Sequence, residues 1–427
     1  MPRSSGTYTA PASSWNPPIN GSPATLVDWS VLLADNSAAH TQAISRDGQS
    51  PALANLPMGS FKLTGLAAGT TAGDSVRFEQ AAASGANADI TSLATLTALN
   101  TGPLGGLRNA LTNGNFDVWQ RGITFASIAV NQYLADCWVS TSATPSTSTC
   151  QRAQSIDLPG SYSFQWNSVS TAARFQISQV IEAVNVAKYS GKLVTVSCKL
   201  QGNAGCVRSV SVALYKNATG DTLTGGTWTS IGSAAITLTT LTQTVSFSVV
   251  VPNDGTANGL KMVVSDAAAG LAGDIIFACK ANIEIGSVVT PIDQRLYGLE
   301  LLLCQRFFWR LGNTGALLET QLGIYLSTTL FDVMCPLPVT MRATPTVTSS
   351  TWSWSTSPTG NTIGAYYGSY VASSHASIAV AIGASSANAA RLRFTGTGGA
   401  FSGPSAGAAI ELSVGSSVSF DFSAELQ

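Results

Sequence analysis

Apolar and polar residues alternate along four segments in the middle of the chain. Within each segment the apolar residues stand two positions apart, so that they share one face of an extended strand. The four segments cover residues 194–200, 210–214, 245–251 and 275–285. Polar turn clusters such as residues 216–221 separate them at intervals typical of hairpins. This pattern predicts a two-sheet β-sandwich over residues 109–312.

Short alternating segments return after residue 312 and predict a small second β-domain over residues 313–427. Its predicted strands cover residues 323–330, 347–354, 378–382, 392–394 and 418–426. Between the two β-domains, residues 299–310 carry apolar residues at helical spacing, which predicts a short helix or a bent strand. The chain is therefore expected to be mainly β.

The N-terminal part of the chain has a different pattern. Residues 1–24 are rich in Pro, Ser, Thr and Asn, which predicts an extended segment. Apolar residues then recur at helical spacing behind a capping-box-like Thr25 and Asp28, and predict an amphipathic helix at about residues 25–45. Leucine or isoleucine every third residue over 90–99 is typical of a helical or trimeric shaft, so residues 81–108 are interpreted as a spacer.

Residues 55–80 resemble the shaft-entry motif of bacteriophage tail fibres. The matching features are a turn at Met58-Gly59, a short strand that ends in Thr64-Gly-Leu66, and the unit Gly73-Asp-Ser-Val-Arg77. The resemblance implies a homotrimer in which three chains intertwine, and an elongated fibre whose residues 1–80 attach to other phage tail proteins. It also assigns the tail-anchoring contacts to the preceding helix, with Leu26, Trp29 and Leu33 as its apolar face.

A second resemblance brackets the predicted sandwich. Its motifs occupy residues 113–122, 133–138, 283–286, 290–295 and 301–308. They are similar to the bracketing motifs of a β-sandwich module of phage tail fibres, which itself resembles carbohydrate-binding jelly rolls. The usual module has Arg where this chain has Cys137, so that position supplies no ion pair to Asp136. Trp119 and Trp138 lie within these motifs and are expected to fill the core.

The composition narrows the range of functions. Charged residues make up 10% of the chain, against about 25% in an ordinary soluble domain, and the net charge is −1. A surface with so little net charge favours an oligomer over a monomer. Lys and Arg form no basic run, which argues against nucleic acid, and no stretch reaches the ~18 apolar residues of a membrane span. The N-terminus lacks the apolar core of a signal peptide, so synthesis in the host cytoplasm is expected. Residence in the virion tail is what the resemblance to tail fibres implies.

Candidate chemistry is sparse. The seven cysteines contain no C-x-x-C pair and are interpreted as buried free thiols, with Cys137/Cys150 and Cys198/Cys206 as possible disulfides in an oxidising setting. The two histidines are far apart, so no metal site, cofactor or His-based catalytic site is predicted. The string that begins at Gly403 matches G-x-S-x-G, but no histidine follows it. Folding could also bring Glu182 close to Asp136, or Glu284 close to Asp293. Two such carboxyl groups could cut a glycosidic bond, and the sequence leaves this possibility open.

Aromatic residues cluster in the C-terminal domain at positions 352, 354, 366, 367 and 370. Trp352 and Trp354 stand two apart and share one face of a strand, while Tyr366, Tyr367 and Tyr370 lie in a Gly/Ser-rich segment. We hypothesise that these five residues border a glycan-binding receptor site; a position inside a trimer is weighed equally.

The two resemblances imply a fibre that attaches to the phage tail and mediates adsorption to the host surface, by binding a glycan or protein receptor, and the sparse candidate chemistry predicts that it is not an enzyme. Two alternatives stay open. One is a tailspike depolymerase that cleaves capsule or lipopolysaccharide, and the other is a purely structural tail or collar protein.

Overall fold

The computed structural model describes most of the chain from residue 108 onward. The described ranges are 108–141, 148–157, 161–170, 174–267, 271–312, 318–359, 361–367, 369–373, 377–402 and 404–426, with short stretches at 3–4, 7–8, 30, 33–34, 98–99 and 102–103. The chain forms two compact units, residues 1–93 and 94–427. Within the described ranges no helix has the length and apolar character that a membrane crossing requires.

In the first unit, β1 (Arg3–Ser4) pairs with β2 (Thr7–Tyr8). Residues 30, 33 and 34 are helical, inside the predicted N-terminal helix, and the Leu33 side chain is exposed. Leu26, Trp29 and the motif at 55–80 lie outside the described residues. The second unit begins with a hairpin of β3 (Ala98–Leu99) and β4 (Gly102–Pro103), while most of the predicted spacer is also outside the described residues.

The middle of the chain is a β-sandwich, as the alternating pattern predicts. Its strands are β5 (Thr124–Phe125), β6 (Gln132–Tyr133), β7 (Val139–Ser140), β8 (Thr149–Gln154), β9 (Tyr162–Asn167), β10 (Gln176–Ile181), β11 (Leu193–Gly202), β12 (Ser209–Asn217), β13 (Thr229–Thr237), β14 (Gln243–Val250), β15 (Gly259–Asp266) and β16 (Ile275–Ile285). They form two six-stranded sheets, ordered β13-β12-β15-β10-β7-β6 and β14-β11-β16-β9-β8-β5. A one-turn helix, α1 (Ala183–Val186), follows β10. All four strands predicted from alternation are confirmed.

The first bracketing motif builds the sandwich core. Trp138 is fully buried, its ring centroid lies 4.8 Å from that of Phe116, and its Nε1 donates to the carbonyl of Asn113 at 3.0 Å. Trp119 stacks on Phe164 at 5.8 Å. Both tryptophans are core residues, as expected. The seven cysteines are buried free thiols, so the first interpretation is confirmed and neither possible disulfide forms.

The part of the chain from residue 297 onward begins with a helix and continues as sheets. Its elements are α2 (Tyr297–Gln305), β17 (Phe308–Gly312), β18 (Leu318–Ser327), β19 (Leu330–Pro336), β20 (Thr346–Ser349), β21 (Ser353–Trp354), β22 (Thr362–Tyr367), β23 (Ser369–Tyr370), β24 (Ala372–Ser373), β25 (Ser377–Ser385), β26 (Ala389–Thr397), β27 (Phe401–Ser402), β28 (Ala409–Val414) and β29 (Ser419–Ser423). The main sheet has the order β21-β22-β28-β18-β19-β26-β25, with β23 beside β22. A three-stranded sheet, β17-β29-β20, joins β17 to the end of the chain, and β24 pairs with β27.

An arginine links the sandwich to the C-terminal segment. The Arg121 guanidinium lies 3.0 Å from the Glu425 carboxylate and 3.7 Å from that of Asp136. Arg121 thus forms the ion pair with Asp136 that Cys137 cannot form. The Tyr133 hydroxyl adds a second link by donating to the carbonyl of Leu426 at 2.7 Å.

The buried carboxyl at this junction predicts an unusual pH dependence of stability. Burial raises the pKa of Glu425 to about 7, although Arg121 acts in the opposite direction. An unfolded glutamate titrates near 4.3, so between about pH 4 and 7 the folded chain keeps a proton that the unfolded chain has lost. The free energy of unfolding then falls as pH rises through this window. Burial and the charge of Glu300 raise the pKa of Asp117 to about 6, which acts in the same direction.

We therefore expect a higher thermal unfolding midpoint at about pH 5 than at about pH 7.5, and a smaller difference in Glu425→Gln, which cannot ionise. Scanning calorimetry of both proteins, in buffers of matched ionic strength, measures the difference in unfolding midpoint between the two pH values. An equal pH dependence in the two proteins would show that Glu425 is not the titrating group.

Candidate functional site

The two predicted tryptophans pack on the core of their own domain. The Trp354 ring lies 5.1 Å from Phe401 and 5.9 Å from Phe331, and its Nε1 donates to the carbonyl of Val371 at 3.0 Å. Trp352 lies edge-on to Phe394 at 6.2 Å. Both rings are half-buried, so part of each is covered by its own chain.

The predicted tyrosines divide between the two faces of β22. Neighbouring residues on a strand point to opposite sides, so Tyr366 and Tyr367 do not share a face. Both are exposed, Tyr366 by 41%. Tyr370 pairs with Tyr366 in backbone register, but its side chain is outside the described residues. Trp354 pairs with the buried Ile363, on the face opposite to Tyr366. The four residues whose side chains the structure describes therefore do not form one continuous aromatic face, and the roles of all five in binding stay predictions.

Tyr366 lies at the end of a row of side chains on the outer face of the main sheet. Strand register places Tyr366 opposite Glu411, and Glu411 opposite Leu322. Directly paired residues hold their Cβ atoms about 5 Å apart on the same side of a sheet. An aromatic ring, a carboxylate and an aliphatic side chain therefore stand next to one another.

The centre of this face is an exposed apolar strip. β18 buries Tyr325, whose hydroxyl donates to the carbonyl of Phe401 at 3.1 Å, and exposes the residues on either side of it. The exposed residues of the strip are Leu322, Ile324 and Leu326 on β18, with Met334 on β19. Leu322 alone is 69% exposed. Contiguous apolar surface of this kind marks interaction sites, because it is costly to leave in water.

A charged cluster borders the strip on its far side. Arg393 donates to both carboxylate oxygens of Asp332 at 2.9 Å each, and Arg391 lies 3.3 Å from the same carboxylate. Asp332 is buried, while each arginine side chain remains about a third exposed. Asp332 stands opposite Ile324 in the sheet, so the guanidinium groups lie beside the strip. We call the strip, the Tyr366–Glu411 edge and this cluster the outer face.

The outer face combines the groups that recognise a sugar. Aromatic and aliphatic surface can cover the apolar face of a pyranose ring, a carboxylate accepts hydrogen bonds from hydroxyls, and guanidinium groups donate to ring or hydroxyl oxygens. The single strand predicted at 323–330 is wrong at its end, because β18 ends at Ser327 and a turn at 328–329 leads into β19. The sequence pattern indicates a strand here, but it does not show that Leu322, Ile324 and Leu326 point outward. Gly323 and the buried Tyr325 alternate with these three residues, and this alternation is the sequence signal that indicates which face is exposed.

The carboxylate pairs considered from the sequence have separate partners. Glu182 pairs with Arg306 at 3.0 Å, whereas Asp136 accepts from the side chain of Gln120 at 2.5 Å. Glu284 accepts from the backbone N–H of Thr290 at 2.8 Å, and Asp293 accepts from the N–H of Arg108. In the described ranges no group of three or more His, Cys, Asp and Glu residues could hold a metal ion.

No protein-family model matches the sequence, and no curated protein matches it. Among solved structures the chain is similar to the carbohydrate-binding module TmCBM61, solved with β-1,4-galactotriose, at 13% identity over 42% of this chain and 99% of the module, with a TM-score of 0.26. It is also similar to the enzymatically active domain of tailspike protein 4 of bacteriophage CBA120, at 13% identity over 42% of this chain and 21% of that chain, with a TM-score of 0.29. The CBM22-1 xylan-binding domain of Paenibacillus barcinonensis Xyn10C matches at 11% identity over 45% of this chain and the whole module, with a TM-score of 0.29. Likenesses of this size carry no argument about ligand or activity.

Proposed function

We propose that this chain is a non-enzymatic adhesive protein of a bacteriophage tail, which binds host surface glycans through the outer face of its C-terminal domain. The observation that carries the glycan-binding part is the row Tyr366, Glu411 and Leu322 beside an exposed apolar strip. The assignment to a phage tail, the homotrimer and the anchoring role of residues 1–80 rest on the motifs at 55–80 and 113–138.

The shape of the outer face suits a polymer. A sheet surface is open at both ends, so it can accept consecutive sugar units of a chain, whereas a deep pocket selects a single small ligand. An open site of this kind binds weakly. Three copies in a trimer would raise the overall affinity through multivalency, without any new contact.

Tyr366→Ala is expected to weaken binding of the full chain to host polysaccharide by about tenfold, because loss of an aromatic contact of roughly 1–1.5 kcal/mol corresponds to that factor. Biolayer interferometry on immobilised host polysaccharide measures the change. Tyr297→Ala is the matched control, since Tyr297 is exposed but lies on α2.

If the Tyr366→Ala protein bound the polysaccharide as tightly as the original chain, the outer face would be excluded as the binding site. Non-enzymatic action is tested separately by incubating the chain with the same polysaccharide and measuring reducing ends. Their release over time would support the tailspike depolymerase instead.

The apolar strip also favours a second candidate, a structural component that docks on another tail protein. Aliphatic residues such as Leu322 and Ile324 suit a protein interface as well as a sugar ring. Ile324→Arg distinguishes the two: a structural role predicts virions that lack the chain, whereas an adhesive role predicts complete virions that adsorb poorly.

A further inference from the structure

A cleft lies on the sandwich, far in sequence from the outer face. Its floor is the solvent side of β11, β14 and β16, and the segment 289–294 covers it. The cleft has a volume of about 230 Å³. Drug-sized ligands occupy about 300–1,000 Å³, so this cleft has room for about one sugar ring.

A bulge in the sheet places two lysines at one end of the cleft. The register between β11 and β16 shifts between Ser197 and Lys199, and Lys280 in the bulge has a φ of 51°. A left-handed backbone is unfavourable for lysine, and bulges commonly redirect a side chain next to a binding site. Lys199 and Lys280 both line the cleft, and both ammonium groups bind the carboxylate of Asp157. Two positive charges and one negative charge leave a net charge of +1 there.

An unpaired polar group lies on the floor beside them. Asn282 lines the cleft, is only 4% exposed, and its Oδ1 has no hydrogen-bond partner. It stands opposite Ser197 in the sheet. Buried side-chain oxygens almost always have a partner, because desolvation without a hydrogen bond is costly. An acceptor left open inside a cleft indicates a ligand that donates to it.

Thr290 of the covering segment also lines the cleft, and it is bonded to a carboxylate just outside it. Glu284 lies two residues beyond Asn282 on β16, and Thr290 holds its carboxylate through both the backbone N–H and the hydroxyl. The lining of the cleft itself thus has two ammonium groups and, near them, an acceptor without a partner. A ligand with one carboxylate and several hydroxyls matches these groups, since the carboxylate meets the two ammonium groups and a hydroxyl donates to Asn282.

We infer that this cleft binds a uronic acid residue, with its carboxylate against the Lys199 and Lys280 ammonium groups and a hydroxyl donating to Asn282 Oδ1. The site belongs to the sandwich and does not depend on the outer face. Tyr366→Ala therefore leaves it unchanged, so failure of this inference and failure of the proposed function are separable.

Isothermal titration of the full chain with glucuronate, glucose and acetate tests the inference. We expect glucuronate to bind with millimolar affinity and both other probes to bind at least about tenfold more weakly, because glucose lacks the carboxylate and acetate lacks the hydroxyls. Lys280→Met is expected to weaken glucuronate binding by about tenfold. Asp157→Asn is expected to tighten it, because it removes the anion that competes for the same ammonium groups.

Asn282→Ala separates a binding role from a structural one. It removes a buried acceptor without a partner, so we expect loss of glucuronate binding with no fall in the thermal unfolding midpoint. Lys216→Met is the control, since Lys216 bonds Thr256 and does not line the cleft. Equal binding of glucose and glucuronate would overturn the inference, as would an Asn282→Ala protein that melts lower but binds glucuronate normally.

Discussion

Arg121→Met is expected to destabilise the folded chain by about 3–5 kcal/mol, the usual cost of removing one partner from a buried charge pair. The Arg121 side chain is only 13% exposed, and its guanidinium lies between the carboxylates of Asp136 and Glu425. It also covers the Phe308 ring at 3.6 Å from the centroid. Methionine keeps much of the apolar contact but leaves two buried carboxylates without a cation.

Urea unfolding at about pH 8.5, above the pKa of about 7 of Glu425, measures this loss. The difference between the original chain and Arg121→Met should shrink as pH falls, because protonation neutralises the carboxyl groups that lost their partner. Arg152→Met is the control, since Arg152 lies over the Tyr162 ring at 4.1 Å near the surface and should cost less than about 1 kcal/mol. Similar losses in the two variants would show that the buried carboxylates do not account for the effect.

Trp138→Ala is expected to cost about 3–5 kcal/mol, because it removes a large, fully buried side chain and leaves a cavity that the sheets cannot close. Trp138 contacts Phe116 and donates a hydrogen bond to the carbonyl of Asn113. The same asparagine holds the turn of the first bracketing motif, since its amide donates to the carbonyls of Val118 and Asp136. Loss of the indole therefore loosens the motif as well as the core.

Equilibrium denaturation followed by circular dichroism measures this second effect, with Trp228→Ala as the control. Trp228 is half-buried, and Lys261 lies over its ring at 4.2 Å, so its removal leaves the shared core intact. A loss in Trp138→Ala no larger than in Trp228→Ala would contradict the assignment of Trp138 to the centre of the core.

Much of the sandwich could be predicted from local sequence pattern. The four alternating segments of the sandwich form strands because branched and aromatic residues two apart can bury one face. The burial of Trp138 follows from its place in a motif. In the C-terminal domain the same reasoning is less complete, because residues 347–354 form two strands, β20 and β21, that join different sheets. The boundary between the two β-domains at residue 312 stays a prediction. β17, which lies before this boundary, pairs with β29, which lies after it.

Less of the candidate binding sites than of the fold could be predicted from the sequence. Composition and spacing indicate aromatic residues in the C-terminal domain, but not that Trp354 packs inward while Tyr366 points to solvent. The cleft on the sandwich has no signal in the sequence, since Lys199, Lys280 and Asn282 are ordinary polar positions on alternating strands. A bulge and a covering loop bring them together.

The amino-acid sequence by itself determined the mainly β character, the sandwich strands and the buried thiols, because these depend on local periodicity and side-chain polarity. It determined the buried tryptophans through the motifs in which they lie. Only the tertiary structure decided which cation Asp136 meets, which face of β18 stays exposed and where Asn282 is left without a partner. Each of these depends on contacts that folding makes between separate segments of the chain, as when Arg121 reaches Glu425. Periodicity places a side chain on one of two faces, but long-range pairing chooses its neighbours.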